Sequence, residues 1–159
     1  MFRVSQKTEY ALRAMVELSL RQGEAHPVPA RSIAQAQGIP LRFLEQQLAT
    51  LHKAGLVESF RGAGGGCRLA RDPDDIRVAD VVDVMEGSLY PMYCLDEHDH
   101  TCFQDGRCGL QELWGDVHVA VRQVFERTTI ADLAARHRRL GSEAPVFRPQ
   151  DLLRSGPSS

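Results

Sequence analysis

No apolar run in this 159-residue chain approaches the roughly 18 to 20 residues that a membrane span requires, so no membrane-spanning helix is expected. The opening Met1-Phe2-Arg3-Val4-Ser5-Gln6-Lys7 turns polar at once and has no signal-peptide core, which makes the cytoplasm the expected location. There is no internal repeat and no strong compositional bias: 43% hydrophobic and 25% charged residues exclude a wholly disordered, collagen-like or coiled-coil chain. Net charge is also slight, at -2. On its own that value speaks against a nucleic-acid binder, whose domains are usually basic.

The distribution of charge says otherwise. Residues 1–72 hold ten Lys and Arg against six Asp and Glu, whereas residues 73–159 hold nine against fifteen. A basic first half joined to an acidic second half points to a polyanion-binding module attached to something with a different task.

Helical periodicity is clear in residues 5–22, where Ala11, Met15 and Leu18 run beside Leu12, Val16 and Leu20, with Ser5 able to cap the start and Gly23 to end it. A short helix follows over residues 30–37, closed by Gly38. A third begins at Pro40, a residue suited to a first helical turn, and continues to Gly55 with Leu44, Leu48 and Leu51 on one face. Two short helices joined by the tight Gly38-Ile39 turn have the form of a helix-turn-helix. Residues 56–60 and 67–70 then read as strands of a hairpin around Arg61-Gly62-Ala63-Gly64-Gly65-Gly66.

Four glycines in five residues forfeit backbone entropy, so they require positive φ angles or a close backbone approach. A nucleotide-binding phosphate loop is excluded, because no Lys-Ser or Lys-Thr follows and no helix opens behind the glycines. The combination predicts a mainly α fold with a small β-wing, that is, a winged helix-turn-helix. Beyond it, residues 77–86 form a short amphipathic helix with Val78, Val81, Val82 and Met85 inward, and residues 88–107 a long polar loop. Residues 110–126 form a long helix whose apolar face is too broad for a lone surface helix. Thr129-Ile130-Ala131-Asp132 is a capping box that opens a last short helix to about Leu140. The expected organisation is a DNA-binding domain at 1–87, a cysteine-bearing loop at 88–109, a dimerisation helix and terminal helix at 110–140, and a poorly ordered tail at 141–159.

Three of the four cysteines cluster, Cys94, Cys102 and Cys108, with seven and then five residues between them. In a reducing compartment they are not a disulfide framework. Thiols gathered on a loop where a long helix starts offer soft ligands to a metal or an iron-sulfur centre, and the positive end of the helix dipole favours the thiolate of Cys108. A fourth ligand is open among Asp96, Glu97, His98, His100, Gln111 or a side chain from elsewhere, and zinc or unliganded thiols are alternatives to a cluster. Cys67 reads as a small apolar residue on the wing strand. No nucleophile, base and orienting group accompany the cysteines, which argues against an enzyme.

These residues resemble the Rrf-type bacterial winged-helix transcription regulators over roughly residues 1–140. The resemblance rests on Lys7-Thr8-Glu9-Tyr10-Ala11-Leu12-Arg13, on Phe43-Leu44-Glu45-Gln46 with Leu51-His52-Lys53-Ala54-Gly55-Leu56-Val57, on the wing glycines, and on Thr128-Thr129-Ile130-Ala131-Asp132-Leu133. It implies a homodimer in which the long helix crosses its partner, an operator of two half-sites on double-stranded DNA, and an iron-sulfur cluster held by Cys94, Cys102 and Cys108. The cluster-binding members keep five residues in both cysteine gaps, whereas the first gap here is seven. Some of them complete the site with a histidine three residues after the last cysteine, where this chain has Gln111. Others use a carboxylate from the first helix of the other subunit, a position matched by Glu9. That match and the missing histidine favour a four-iron over a two-iron cluster.

Within such a regulator Arg42, Glu45 and Gln46 are placed to reach base edges, pairing with guanine, cytosine and adenine in turn. Arg61 with the backbone of Gly64 and Gly65 is placed to reach the minor groove or phosphates, and Arg31 and Ser32 to hold phosphate at a helix start. The same regulator without a cluster, sensing by thiols, zinc or a protein partner, is the alternative.

Overall fold

A computed structural model describes residues 4–87, 90, 95 and 106–142. The chain runs α1 (Gln6–Leu20), α2 (Ala30–Gln37), α3 (Leu41–Lys53), β1 (Val57–Phe60), β2 (Gly66–Leu69), α4 (Val78–Glu86), α5 (Gly109–Arg127) and α6 (Ile130–Ser142). Most of the expected 88–107 loop, with Cys94 and Cys102, and the tail from residue 143 onward lie outside the described residues.

Local chemistry sets the ends of these elements. The Ser5 hydroxyl accepts the Thr8 N–H and caps α1. Gly38 closes α2 in the left-handed region at φ 62°. Pro40 stands one residue earlier than its expected place, as the N-cap of α3 in extended conformation. At α6 the Thr129 N–H donates to Asp132 Oδ2 at 2.9 Å and the Asp132 N–H returns to Thr129 Oγ1 at 3.1 Å, the expected capping box. The Thr129 backbone N–H, and after it the Thr129 side chain, hold the Asp132 carboxyl below its usual range.

The strands pair antiparallel with Ser59 opposite Cys67 and Phe60 opposite Gly66. A contact without a periodic signal extends them: Val28, in the α1–α2 connection, forms a bridge to Cys67, with N–H to O distances of 2.9 and 2.8 Å. The wing glycines divide by cause. Gly62 and Gly64 have φ of 94° and 82°, whereas a Cβ on Gly65 would lie 2.4 Å from the Phe60 carbonyl oxygen and one on Gly66 2.4 Å from that of Val28. Both sequence expectations for these glycines are therefore met, with the close approach being to the protein's own backbone.

α1 is the central helix, packed on α2, α3, α4 and α6. Met15, Ile33, Leu44, Leu51, Ile76, Val81 and Ile130 are fully buried in one core. Glu17 enters it at 7% exposure because both carboxylate oxygens are paired, one with Arg21 Nε at 2.7 Å and one with Gln37 Nε2 at 2.8 Å. The four residues expected to face inward from α4 are all buried. In α5, by contrast, none of the 19 residues is buried, although the helix packs along α4.

Candidate nucleic-acid interface and thiol site

α3 divides sharply into two faces. Leu44, Gln47, Leu48 and Leu51 are buried, and Arg42, Phe43, Glu45, Gln46, Ala49 and Thr50 are exposed. Gln47 is satisfied by its own helix, its Nε2 donating to the Phe43 carbonyl at 3.2 Å. Arg42 makes no hydrogen bond or ion pair with any described residue, nor does Arg61 on the wing or Arg31 at the start of α2. Three guanidinium groups thus stand in solvent on the elements that a winged helix turns toward DNA. Ser32 is half-buried and its N–H is taken by the Pro29 carbonyl at 2.9 Å; the N–H of Gly65 is taken likewise by Gly62 at 2.9 Å. The structure brings Glu45 beside the wing, where Ala49, His52, Ser59 and Phe60 line a cleft of about 320 Å³ with it.

Two aromatic side chains on these elements were not singled out as site residues in the sequence. Phe43 is 52% exposed and Phe60 42%, the latter lying under the Arg68 guanidinium at 5.8 Å. The signal that would have found Phe43 is helical phase, which puts it next to Gln46 and away from Leu44 and Leu48.

Of the thiol group, Cys108 is described and sits as the N-cap of α5 with extended backbone and a half-buried side chain. Its carbonyl accepts from Gln111 at 3.0 Å, and the Gln111 side chain turns back to accept the Gly106 N–H at 3.1 Å. Glu9 is exposed on the first turn of α1 and paired with Arg13 at 2.6 Å. Among the described residues no three His, Cys, Asp or Glu side chains form a group able to hold a metal, so Glu9 and Cys108 are not brought together in such a group within one chain. Cys67 is buried, and burial pushes its thiol up despite a hydrogen bond with Ser59. It is a packed strand residue, as its sequence context suggests.

Glu9 borders a broad groove of about 840 Å³ between α1 and α6, walled by Val4, Leu12, Val16, Leu133 and Leu140. On α5, Leu110, Leu113 and Val124 recur at helical spacing and are 57%, 53% and 43% exposed. An unpaired apolar stripe and an apolar groove occur on the same molecule.

The Rrf2 family, described as iron-dependent transcriptional regulator, matches residues 4–136. The chain belongs to this family. Among Rrf2 relatives, the regulator CymR of Bacillus subtilis (strain 168) is 37% identical over 133 residues, spanning 84% of this chain and 90% of its own length. The structure titled as that of CymR, the global cysteine regulator of B. subtilis, superposes with a TM-score of 0.72 over 86% of this chain and 98% of that one. The T. potens IscR structure is 35% identical, with a TM-score of 0.67 over 94% and 96% of the two chains. These Rrf2 neighbours carry the same winged-helix architecture as the six helices and two strands described above. The relatives are transcription regulators, and this chain, as a member of the family, is one of them. No helix among the described residues is long and apolar enough to cross a membrane.

Proposed function

We propose that this Rrf2 protein is a cytoplasmic homodimer that binds a two-half-site operator and senses iron-sulfur status, nitric oxide or redox stress through a cluster held by Cys94, Cys102 and Cys108. Residues 1–87 read DNA, residues 88–109 hold the cluster and residues 110–140 dimerise. Arg42, Glu45 and Gln46 meet base edges in the major groove, and two such heads reach successive grooves about 34 Å apart. Arg61 with Gly64 and Gly65 follows the wing onto the backbone, and Arg31 and Ser32 hold phosphate at the start of α2.

The observation that carries the sensing half is the position of Cys108: it caps a helix of 19 residues that buries none of them in its own chain. The donor set of three soft thiolates suits iron and sulfide. With Gln111 turned to Gly106, a ligand from outside the loop is favoured, and Glu9 of the partner subunit supplies a hard, exchangeable carboxylate. Bound there, a four-iron cluster would supply a centre that oxidants, nitric oxide or iron supply can alter. Seating of the α5 stripe in the α1–α6 groove of a second copy would join an exposed apolar stripe to the groove that Glu9 borders.

Likeness to a regulator titled for cysteine favours a second reading, in which the loop cysteines act as thiols, bind zinc or meet a protein partner. Anaerobic purification followed by a visible spectrum and iron and sulfide counts separates the two. A brown protein with stoichiometric iron and sulfide, whose colour and regulated DNA affinity both vanish on Cys94→Ala, Cys102→Ala or Cys108→Ala, supports the cluster. A colourless protein that resists reconstitution leaves the second reading.

A further inference from the structure

The exposed large hydrophobic side chains of the described residues fall into two groups. Val4 and Leu140 border the α1–α6 groove and Leu110, Leu113, Val119 and Val124 lie on α5, whereas Phe43 and Phe60 lie on the recognition helix and the wing. Phe60 has the Arg68 guanidinium above its ring. Phe43 has no such cover and stands half-exposed among Arg42, Glu45 and Gln46.

An aromatic ring left in water on an otherwise polar face has apolar area to bury against whatever that face meets. In the major groove the apolar feature of a base edge is the 5-methyl group of thymine, and phenylalanine is among the side chains that meet it. Residues 43 and 46 are one turn apart on the same face of the helix. Gln46 carries the amide that pairs with adenine N6 and N7, and thymine is adenine's partner, so both groups of one A·T pair, or of adjacent pairs, fall within reach of these two side chains.

We propose that Phe43 is a specificity-determining residue that packs on a thymine methyl group beside the base read by Gln46. This rests on the reading that α3 enters the major groove. The contact would select thymine by shape and water exclusion and would add no charge, so it would leave the salt dependence of binding unchanged.

The test uses the full-length protein. A binding site is selected from random duplex DNA, and each symmetric pair of thymidines in it is then replaced by deoxyuridine, which removes only the methyl groups. Wild-type protein should lose about fourfold in affinity per half-site at one such pair, as expected for one methyl group returned to water. Phe43→Ala should bind the thymidine and deoxyuridine sites equally at that pair, and Phe43→Leu should retain part of the preference. Because residue 43 is exposed, unchanged melting temperatures should accompany both variants. Indifference of the wild type to every replacement, or an equal loss in wild type and Phe43→Ala, would overturn the proposal while leaving groove reading intact. Failure to enrich any sequence would remove the groove reading, and the proposal with it.

Discussion

The carboxylate of Glu86, on the last turn of α4, accepts the Ser5 backbone N–H at 3.0 Å, so the residue that caps α1 is itself capped from 81 positions away. The hydroxyls of Ser5 and Thr8 donate to the same oxygen. Burial opposes the charge on Glu86, but these three donors outweigh it and hold the carboxyl below its ordinary value. Glu86 stands two residues before the 88–109 segment that carries the loop cysteines, and Glu9 lies one turn along α1 from Ser5.

The sign of the resulting pH dependence follows. A depressed carboxyl contributes its full stabilisation above the unfolded value of about 4.3 and loses it as pH falls through the lower folded value. Urea midpoints of wild type and Glu86→Gln should therefore differ by a constant amount near neutrality and converge below about pH 4. Parallel curves down to pH 3 would show that the charge of Glu86 does not hold the two helices together.

Gly66 should tolerate no side chain, because the atoms a Cβ would strike are the carbonyl and backbone of Val28, which the bridge to Cys67 holds in place. Gly66→Ala is expected to cost about 1 to 3 kcal/mol in urea unfolding. Gly109→Ala, with open space around its Cβ, should stay within about 0.5 kcal/mol of wild type and serves as the control.

If α5 pairs with a second copy, its apolar stripe is where a charge would do most harm. Leu113→Glu should shift the sedimentation of the protein from dimer toward monomer, while the same change at Gln123, exposed and polar, should leave it dimeric. Identical sedimentation of the two variants would assign the dimer contact elsewhere.

Arg61→Ala should weaken binding to all duplexes alike and lower the slope of log affinity against log salt by about one, the signature of a lost phosphate contact. Arg42→Ala should instead reduce discrimination between the selected site and competitor DNA, by about 1 to 3 kcal/mol. Titrations between 50 and 200 mM salt distinguish these outcomes.

Helix boundaries were legible in the sequence wherever a residue with a unique backbone or capping role marks them: Ser5, Gly38, Gly87 and the Thr129/Asp132 pair all stand at element ends. The inward face of α4 and the hydrophobic face of α3 followed from period alone. What periodicity does not carry is pairing between distant, isolated residues. The Val28–Cys67 bridge involves one residue on each side, and the Glu86–Ser5 contact joins groups with no common pattern. The exposure of Phe43 was legible in helical phase, which turns it away from Leu44 and Leu48. For the thiol group, Cys108 holds its expected place at a helix start, and Cys94 and Cys102 lie outside the described residues.

Arg122 joins Asp83 of α4 at 2.5 Å and Glu126 of its own helix at 2.8 Å, and these hydrogen bonds, Asp83 first, raise the affinity of its guanidinium for the proton. Arg77 adds a bond from its side chain to the Glu126 carbonyl at 2.5 Å. All of these contacts grip the C-terminal end of α5, whereas Cys108 stands at the opposite end. The helix is therefore a lever with its fulcrum at Arg122. Over an arm of about 21 Å, from Arg122 back to Cys108, a tilt of about 5° at the fulcrum corresponds to roughly 1.8 Å at the cysteine end. A displacement at the Cys108 end would turn the helix about the ion pairs that tie it to α4.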